Sequence, residues 1–299
     1  MTLLELINAS ALQLTEAGVA FGHGTTNAFD EAAWLVLWQL GLPLDTPLED
    51  TIDPTDLATH RLVSHSEQEK VSSLVATRIS SRKPAAYLTQ EAWLQGVPFY
   101  VDERAIVPRS LIAEVLVSGG IDYWLSERTH RVLDLCTGNG SLAVLAAMTY
   151  PDVTVDASDI SADALAVARI NVDKHQLQER ITLLTSDGLA GVNGPYDLIV
   201  CNPPYVNAQS MAALPAEYQA EPALALSGNA NGGSDGMDFI RQLLKNAPRH
   251  MSEKAVLVLE IGNEQAHFEA AFPKLETIWL ETSAGEEQVL LLTRAALIA

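Results

Sequence analysis

From Arg131 onward the sequence swings between short apolar runs and longer stretches of helical spacing, and this alternation limits the fold more than any other feature. RVLDLC (131–136) is followed by SLAVLAAM, TVDASD (154–159) by SADALAVARINVDKH, and ITLLTSD (181–187) by YDLIVCN (196–202). A helical stretch at DFIRQLLKNA leads into AVLVLEIG (255–262), and ETIWLE, a turn at Gly285 and EQVLLLTR close the series. Repeated strand–helix–strand units wind into a parallel sheet covered on both faces, so the fold class is α/β and doubly wound. The last two runs are joined too closely for a helical crossover, so the final strand is expected to run antiparallel. No internal repeat is visible.

The first ninety residues read as helices. Leu3, Leu4, Leu6, Ile7, Leu12 and Leu14 mark an opening segment that Gly18 ends. In FDEAAWLVLWQLG, Ala33, Trp34, Leu37, Trp38 and Leu40 keep a helical period, and Gly41 with Pro43 supplies the stop. Trp34 and Trp38 are assigned to the helical core. Ser66 followed by Glu69 has the capping-box form, and Val71, Leu74, Val75, Arg78 and Ile79 then share one face. A small helical bundle over 1–90 follows from these pieces. AYLTQEAWLQGVPFYVDERAIVPRS mixes aromatic and β-branched residues with Gly96, Pro98 and Pro108, which suits a hairpin or linker over 91–108. The α/β domain then occupies 109–299.

Charge narrows the choice of partner. The net charge is −20 and no third of the chain is basic. A binder that neutralises many phosphates is disfavoured, and a cationic partner would be attracted at long range. Two cysteines allow neither a disulfide framework nor a zinc cluster. The opening MTLLELINAS lacks the form of a secretory signal, and no apolar stretch approaches the ~20 residues of a membrane helix. A soluble cytoplasmic protein without a membrane partner is expected.

The first strand ends in Asp134-Leu135-Cys136-Thr137-Gly138-Asn139-Gly140. Glycines let a backbone turn sharply and approach a ligand, but Ala143 stands where a dinucleotide fingerprint requires its third glycine. That favours a ligand lacking a pyrophosphate. Asp159 ends the second strand at the place where an acid meets a ribose diol, and Asp187 ends the third. Acids at successive strand ends suit a ligand with ribose hydroxyls, an adenine amino group and a positive charge. S-adenosylmethionine has all three, with NAD as the main competitor. A plain helix-capping acid is the simpler alternative for Asp159.

The fourth strand delivers Asn202-Pro203-Pro204-Tyr205. The prolines fix their own φ angles and hold the preceding residue extended, so the tetrapeptide is stiff. A proline offers a carbonyl and no N–H, and Asn202 adds a side-chain oxygen. Converging acceptors match the hydrogens of a planar –NH2 group, and Tyr205 is expected to lie against its plane. Positive charge grows on nitrogen as it receives a methyl group, and fixed acceptors favour that charge over the neutral ground state. A rigid turn after a strand is the structural alternative.

Asp134–Gly140 followed by Asn202-Pro203-Pro204-Tyr205 resembles class I S-adenosylmethionine-dependent methyltransferases acting on exocyclic or amide nitrogen. The layout is similar to that of the protein-glutamine methyltransferases, which join a helical N-terminal domain through a hairpin to a Rossmann-like catalytic domain. PAAYLTQEAWLQGVPFYVDERAIVPRSLIAEVL (84–116), NPPYVNAQSMAALPAEYQAEPALAL (202–226) and EIGN (260–263) look like the branch acting on ribosomal large-subunit protein L-three. Release-factor enzymes tend toward I-P-R-P-E-T-E where this chain has Val107-Pro108-Arg109-Ser110. The resemblance spans roughly 66–299. Gln219-Ala220 replaces an expected Arg-His pair, and SGNANGGSDG (227–236) looks longer than the usual loop. Both departures bear on substrate identity.

The resemblance implies a mostly parallel Rossmann-like sheet whose last strand is antiparallel, with S-adenosylmethionine as cofactor. It implies that Asp134 and the loop Cys136, Thr137, Gly138, Asn139 and Gly140 cradle the methionine part, that Asp159 binds the ribose, and that Asp187 and Gly188 lie near the adenine. Asn202 and the Pro203 carbonyl would hold a glutamine amide, with Pro204 and Tyr205 beside it, Asn202, Pro203 and Tyr205 being the catalytic candidates. The expected substrate is a glutamine of the L-three protein, and the alternative is a release-factor glutamine. A DNA or RNA amino-group methyltransferase fits the motif but not the charge, and a non-catalytic assembly module is the remaining rival. Cys136 and Cys201 read as packing residues. The seven histidines show no ligand spacing, so no metal is expected. Arg109 is read equally as a substrate guide or as a partner of an acid such as Glu114.

Overall fold

The computed structural model describes residues 1–48 and 61–299, so His60 lies outside the described residues. The chain divides into two compact units, one of Met1–Glu91 with Pro215–Ala220, the other of Ala92–Leu214 with Glu221–Ala299.

The first unit contains α1 (Leu3–Glu16), α2 (Ala28–Gln39), α3 (His65–Ser81) and α4 (Ala85–Thr89). Its longer helices begin on side-chain caps, which satisfy amide donors that the first turn cannot. Thr2 and Glu5 form a capping box, Asn27 caps α2, and Ser64 with Glu67 caps α3. The α3 box therefore lies two residues before the expected Ser66–Glu69 pair. Val63 is buried and Leu62 forms a bridge with Thr2, so the chain is pinned there and Ser66 is already helical. Leu3, Ile7, Leu14, Val36, Val71 and Val75 meet in one core. Trp34 and Trp38 stay half-buried, while Leu35, Val36 and Leu37 are fully buried. This differs from the expected core face because α2 packs against both α1 and α3, which turns a broader side of it inward.

The second unit opens with the hairpin β1 (Glu91–Leu94) and β2 (Val97–Tyr100), turned by Gln95 and Gly96, both at positive φ. Residues 92–108 do not stand apart as a linker. Phe99 is fully buried in the core with Ile112 and Leu116, and Asn171 exchanges hydrogen bonds with both backbone groups of Tyr100 at 2.7 and 2.9 Å. There follow α5 (Ile112–Val117), β3 (Arg131–Leu135), α6 (Ser141–Thr149), β4 (Thr154–Asp159), α7 (Ala162–Lys174), β5 (Ile181–Thr185) and β6 (Tyr196–Cys201). After β6 come α8 (Ala208–Ala213), then α9 (Ala216–Gln219), which belongs to the first unit, α10 (Asp238–Asn246), β7 (Met251–Glu260), α11 (Gln265–Ala271), β8 (Ile278–Thr282), β9 (Gly285–Thr293) and α12 (Arg294–Ile298).

The seven-stranded sheet has the order β5-β4-β3-β6-β7-β9-β8. β3 to β7 are parallel and β9 is antiparallel to both neighbours. Both faces are apolar, as a doubly covered sheet requires. Leu198, Val200, Val256, Val258, Val289 and Leu291 enter one core, while Ile199, Cys201, Leu257, Leu259, Leu290 and Leu292 enter the other. Among the described residues, no helix is long and apolar enough to cross a membrane.

Candidate active site

The strand order reverses between β3 and β6, because the chain leaves β3 outward to β4 and β5 and returns to the other side of β3. Loops diverge at such a point and open a crevice beyond the carboxyl ends of the strands. Leu135 pairs with Cys201, so Cys136 and Asn202 leave the sheet side by side. The cleft there is walled by Cys136, Gly138, Ser158, Asp159, Asp187, Gly188, Asn202 and Pro204, with Ile106, Leu224 and Phe239 adding apolar surface.

The glycine loop is shaped by its own bonds. Cys136, Gly138 and Gly140 all have positive φ, at 61, 55 and 81°. A Cβ on Gly138 would meet nothing within 4 Å, whereas one on Gly140 would lie 3.1 Å from the Ala168 Cβ. Gly138 thus faces open space, and Gly140 lets α6 approach α7. Asp159 accepts the Gly138 N–H through Oδ2 and the Ser161 N–H through Oδ1, both at 2.9 Å. Each oxygen keeps a lone pair for a further donor. Burial pushes the Asp159 carboxyl up, opposed by these backbone bonds.

Asp134 does not reach the cleft wall. It is fully buried, and its Oδ2 accepts the Thr137 hydroxyl at 2.5 Å and the Ala143 N–H at 2.9 Å. Burial pushes its carboxyl up to about 7. It braces the loop from beneath, because the fully buried Ala143 presents its N–H there. Thr137, Asn139 and Gly140 also fall outside the cleft lining, Asn139 with its Oδ1 on the Ser141 N–H. Among the described residues, Asp134 Oδ1, Asn139 Nδ2 and Ser158 Oγ are buried without a hydrogen-bond partner. Orphaned polar atoms around one loop fit a ligand with its own charged and polar ends.

The Asn202 side chain makes no hydrogen bond within the described residues. Pro203 is buried and Pro204 faces the cleft. Tyr205 does not line the cleft, in contrast to the expectation from sequence. A Cβ on Gly262 would lie 2.7 Å from Tyr205 Cε2, so its ring packs over bare backbone. Burial raises the Tyr205 phenol well above its usual value, with Glu260 adding to the effect. The 227–236 loop holds the tetrapeptide from outside. Val206 bridges Ser227, the Asn229 amide donates to the Val206 carbonyl at 3.0 Å, and a Cβ on Gly236 would strike the Tyr205 carbonyl at 2.0 Å.

Several supporting contacts escaped the sequence reading. Glu260, at the tip of β7, accepts Ser110 Oγ at 2.5 Å and the Leu111 N–H at 2.9 Å, and burial pushes it up to about 7. Its place one residue past the strand partner of Cys201 was the available signal. Arg109 pairs with Glu221, at 2.6 and 2.7 Å. Glu114 instead holds Ser283. Phe239 comes from α10, and no local pattern points to it. Among the described residues, no group of three or more metal-ligating side chains occurs.

The Methyltransferase small domain family matches residues 121–228. A Ribosomal protein uL3 glutamine methyltransferase of Bordetella pertussis is 50% identical over 99% of this chain and 96% of its own length. Another of that name, from Burkholderia pseudomallei, is 48% identical over 100% and 96%. A methyltransferase structure from Pyrococcus furiosus covers 67% of this chain and 90% of its own, at 16% identity and a TM-score of 0.49. With about half its residues shared along its whole length, the chain belongs to the ribosomal protein uL3 glutamine methyltransferase family.

Proposed function

We propose that this protein transfers a methyl group from S-adenosylmethionine to the side-chain amide nitrogen of a glutamine in ribosomal protein uL3, in the cytoplasm. The observation that carries the reading is Asn202, whose side-chain amide is unbonded among the described residues and stands in the wall of the same cleft as Asp159. Full-length relatives of that name support it. When bound, the cofactor supplies an electrophilic methyl group on a sulfonium centre.

The spare lone pairs of Asp159 receive the ribose hydroxyls, and Asp187 with Gly188 meets the adenine end. The Cys136–Gly140 loop, with Ser158 and the Asp134 brace beneath it, holds the amino-acid part. Asn202 Oδ1 and the Pro203 carbonyl accept the two amide hydrogens of the glutamine and turn its nitrogen lone pair toward the donor. Those acceptors bind more strongly as the nitrogen becomes positive, so they act on the transition state. Alignment of the reacting atoms contributes up to ~7–11 kcal/mol. The methylated nitrogen is acidic enough to release its proton without a strong base. Tyr205 fixes the tetrapeptide through its packing on Gly262. In this reading the helical unit recognises the protein substrate, and the acidic body favours a basic one.

The test is incubation with isotopically labelled S-adenosylmethionine and unmethylated uL3, or release factors, followed by peptide mass spectrometry. Label on a uL3 glutamine is the expected result. Label only on release factors, or on nucleic acid, would overturn the substrate.

A further inference from the structure

The turn that follows β7 holds the Asn202–Tyr205 hook from behind, and all of its contacts lie within the second unit. Glu260 ends the strand one step past Leu259, which pairs with Cys201, so it stands level with Asn202 at the carboxyl edge of the sheet. Its carboxylate is buried. Oε2 accepts Ser110 Oγ at 2.5 Å and the Leu111 N–H at 2.9 Å, from the stretch that continues the cleft residues Arg104, Ala105 and Ile106. The carboxylate also accepts a hydrogen bond from the Tyr205 hydroxyl. Two residues on, Gly262 leaves room for the tyrosine, since an added Cβ would lie 3.0 Å from the hydroxyl oxygen. Two further on, the buried Glu264 accepts Asn207 Nδ2 at 2.7 Å.

A buried carboxylate is costly, and capping the six-residue α5 does not require one, because a hydroxyl or amide side chain serves. What a carboxylate adds is a pair of oxygens whose charge-assisted bonds are about twice as strong as neutral ones. It can join two segments, and here they are the 104–111 wall of the cleft and the hook. Pro203 and Pro204 have fixed φ angles, so a turn of Tyr205 is passed back to the Pro203 carbonyl and to Asn202. Arg109 stands close enough for its charge to favour the ionised forms of both Glu260 and Tyr205. Reacting groups displaced by about 1 Å can lose about a hundredfold in rate, so the angle of the hook matters to turnover.

We propose that Glu260 is a positioning residue for the methyl transfer: by holding the Tyr205 hydroxyl to the Ser110–Leu111 segment, it sets the angle at which Asn202 and the Pro203 carbonyl meet the amide. It acts on turnover rather than on cofactor binding. This rests on the reading of Asn202–Tyr205 as the grip on a glutamine amide.

The test is a double-variant cycle in the full chain at about pH 8, above the value of about 7 to which burial lifts Glu260. Glu260→Gln is expected to lower kcat about tenfold, with KM for uL3 and cofactor affinity each within about twofold. Tyr205→Phe, which keeps the ring over Gly262, is expected to lose about as much. Both break one hydrogen bond, so the double variant should fall no more than about twofold below either single variant. A Glu260 that only supports α5 would give losses that add. Tyrosine labelled with carbon-13 at Cζ reads the contact by NMR without any substrate. The Tyr205 signal, identified by its loss in Tyr205→Phe, is expected to move in Glu260→Gln more than any other tyrosine signal. Additive losses in kcat, or a Tyr205 signal that stays in place, would overturn the proposal. If Glu260→Gln does not fold, Tyr205→Phe decides: a lowered kcat supports the hold through the hydroxyl, and an unchanged kcat overturns it. A wild type that methylates no polypeptide would defeat the functional reading, while the labelled tyrosine still judges the contact.

Discussion

At the scale of single residues, the site separates groups that face the ligand from groups that hold those groups still. In the proposed reaction Asn202→Ala removes an acceptor whose value lies in the transition state, so kcat is expected to fall about a hundredfold or more, with cofactor affinity by calorimetry unchanged. Asp159→Ala does the reverse. It removes the charged acceptor proposed for the nucleoside and frees Gly138, and cofactor affinity is expected to drop about tenfold to a hundredfold. Asp134 and Glu260 are raised by burial from 3.8 and 4.5 to about 7. Their folded values exceed their unfolded ones, so the folded chain binds more protons between those limits. Their contribution to stability is then full below about pH 4 and is lost as pH rises through about 7. Urea midpoints of the ligand-free protein at about pH 5 and about pH 8 should show this fall, and Asp134→Asn should flatten it.

Among the elements, the glycines after β6 and β7 show how packing sustains the hook. Gly262 has φ of 53°, and an added Cβ would meet the Tyr205 ring. Gly262→Ala is expected to reduce kcat while far-UV circular dichroism stays unchanged, and to destabilise by about 1–3 kcal/mol in urea unfolding. The strands of the sheet were legible because their runs are apolar on both faces, and TVDASD was placed residue for residue as β4. The reach of β7 back to Met251 was not, since Ser252, Glu253 and Lys254 break the apolar pattern and the pairing with β6 shifts register across them, from Tyr196–Met251 to Leu198–Val256. The α3 cap was misplaced because Ser64–Glu67 and Ser66–Glu69 satisfy the same rule, and only tertiary pinning of Val63 decides between them. That Asn202, Asp159 and Gly138 border one cleft was legible from their places at or just past strand ends. Glu221 was not, because it acts through Arg109, distant in sequence, and no local pattern points to Phe239.

For the molecule as a whole, the −20 charge sets conditions on any encounter. If a basic protein is the substrate, KM should rise severalfold between about 0.05 and about 0.3 M salt, while cofactor affinity changes far less. A KM indifferent to salt would remove charge from the recognition argument. The cleft has another property at this scale. Its wall is drawn from Arg104, Cys136, Asp159, Asp187, Asn202 and Phe239, which span well over a hundred positions of chain. Severing the polypeptide after Lys174 leaves Asp187 and Asn202 on one fragment and Cys136 and Asp159 on the other. Neither fragment alone should retain the nucleoside, and adding it should drive the halves to reassociate, so that the small molecule acts as the glue of a split enzyme.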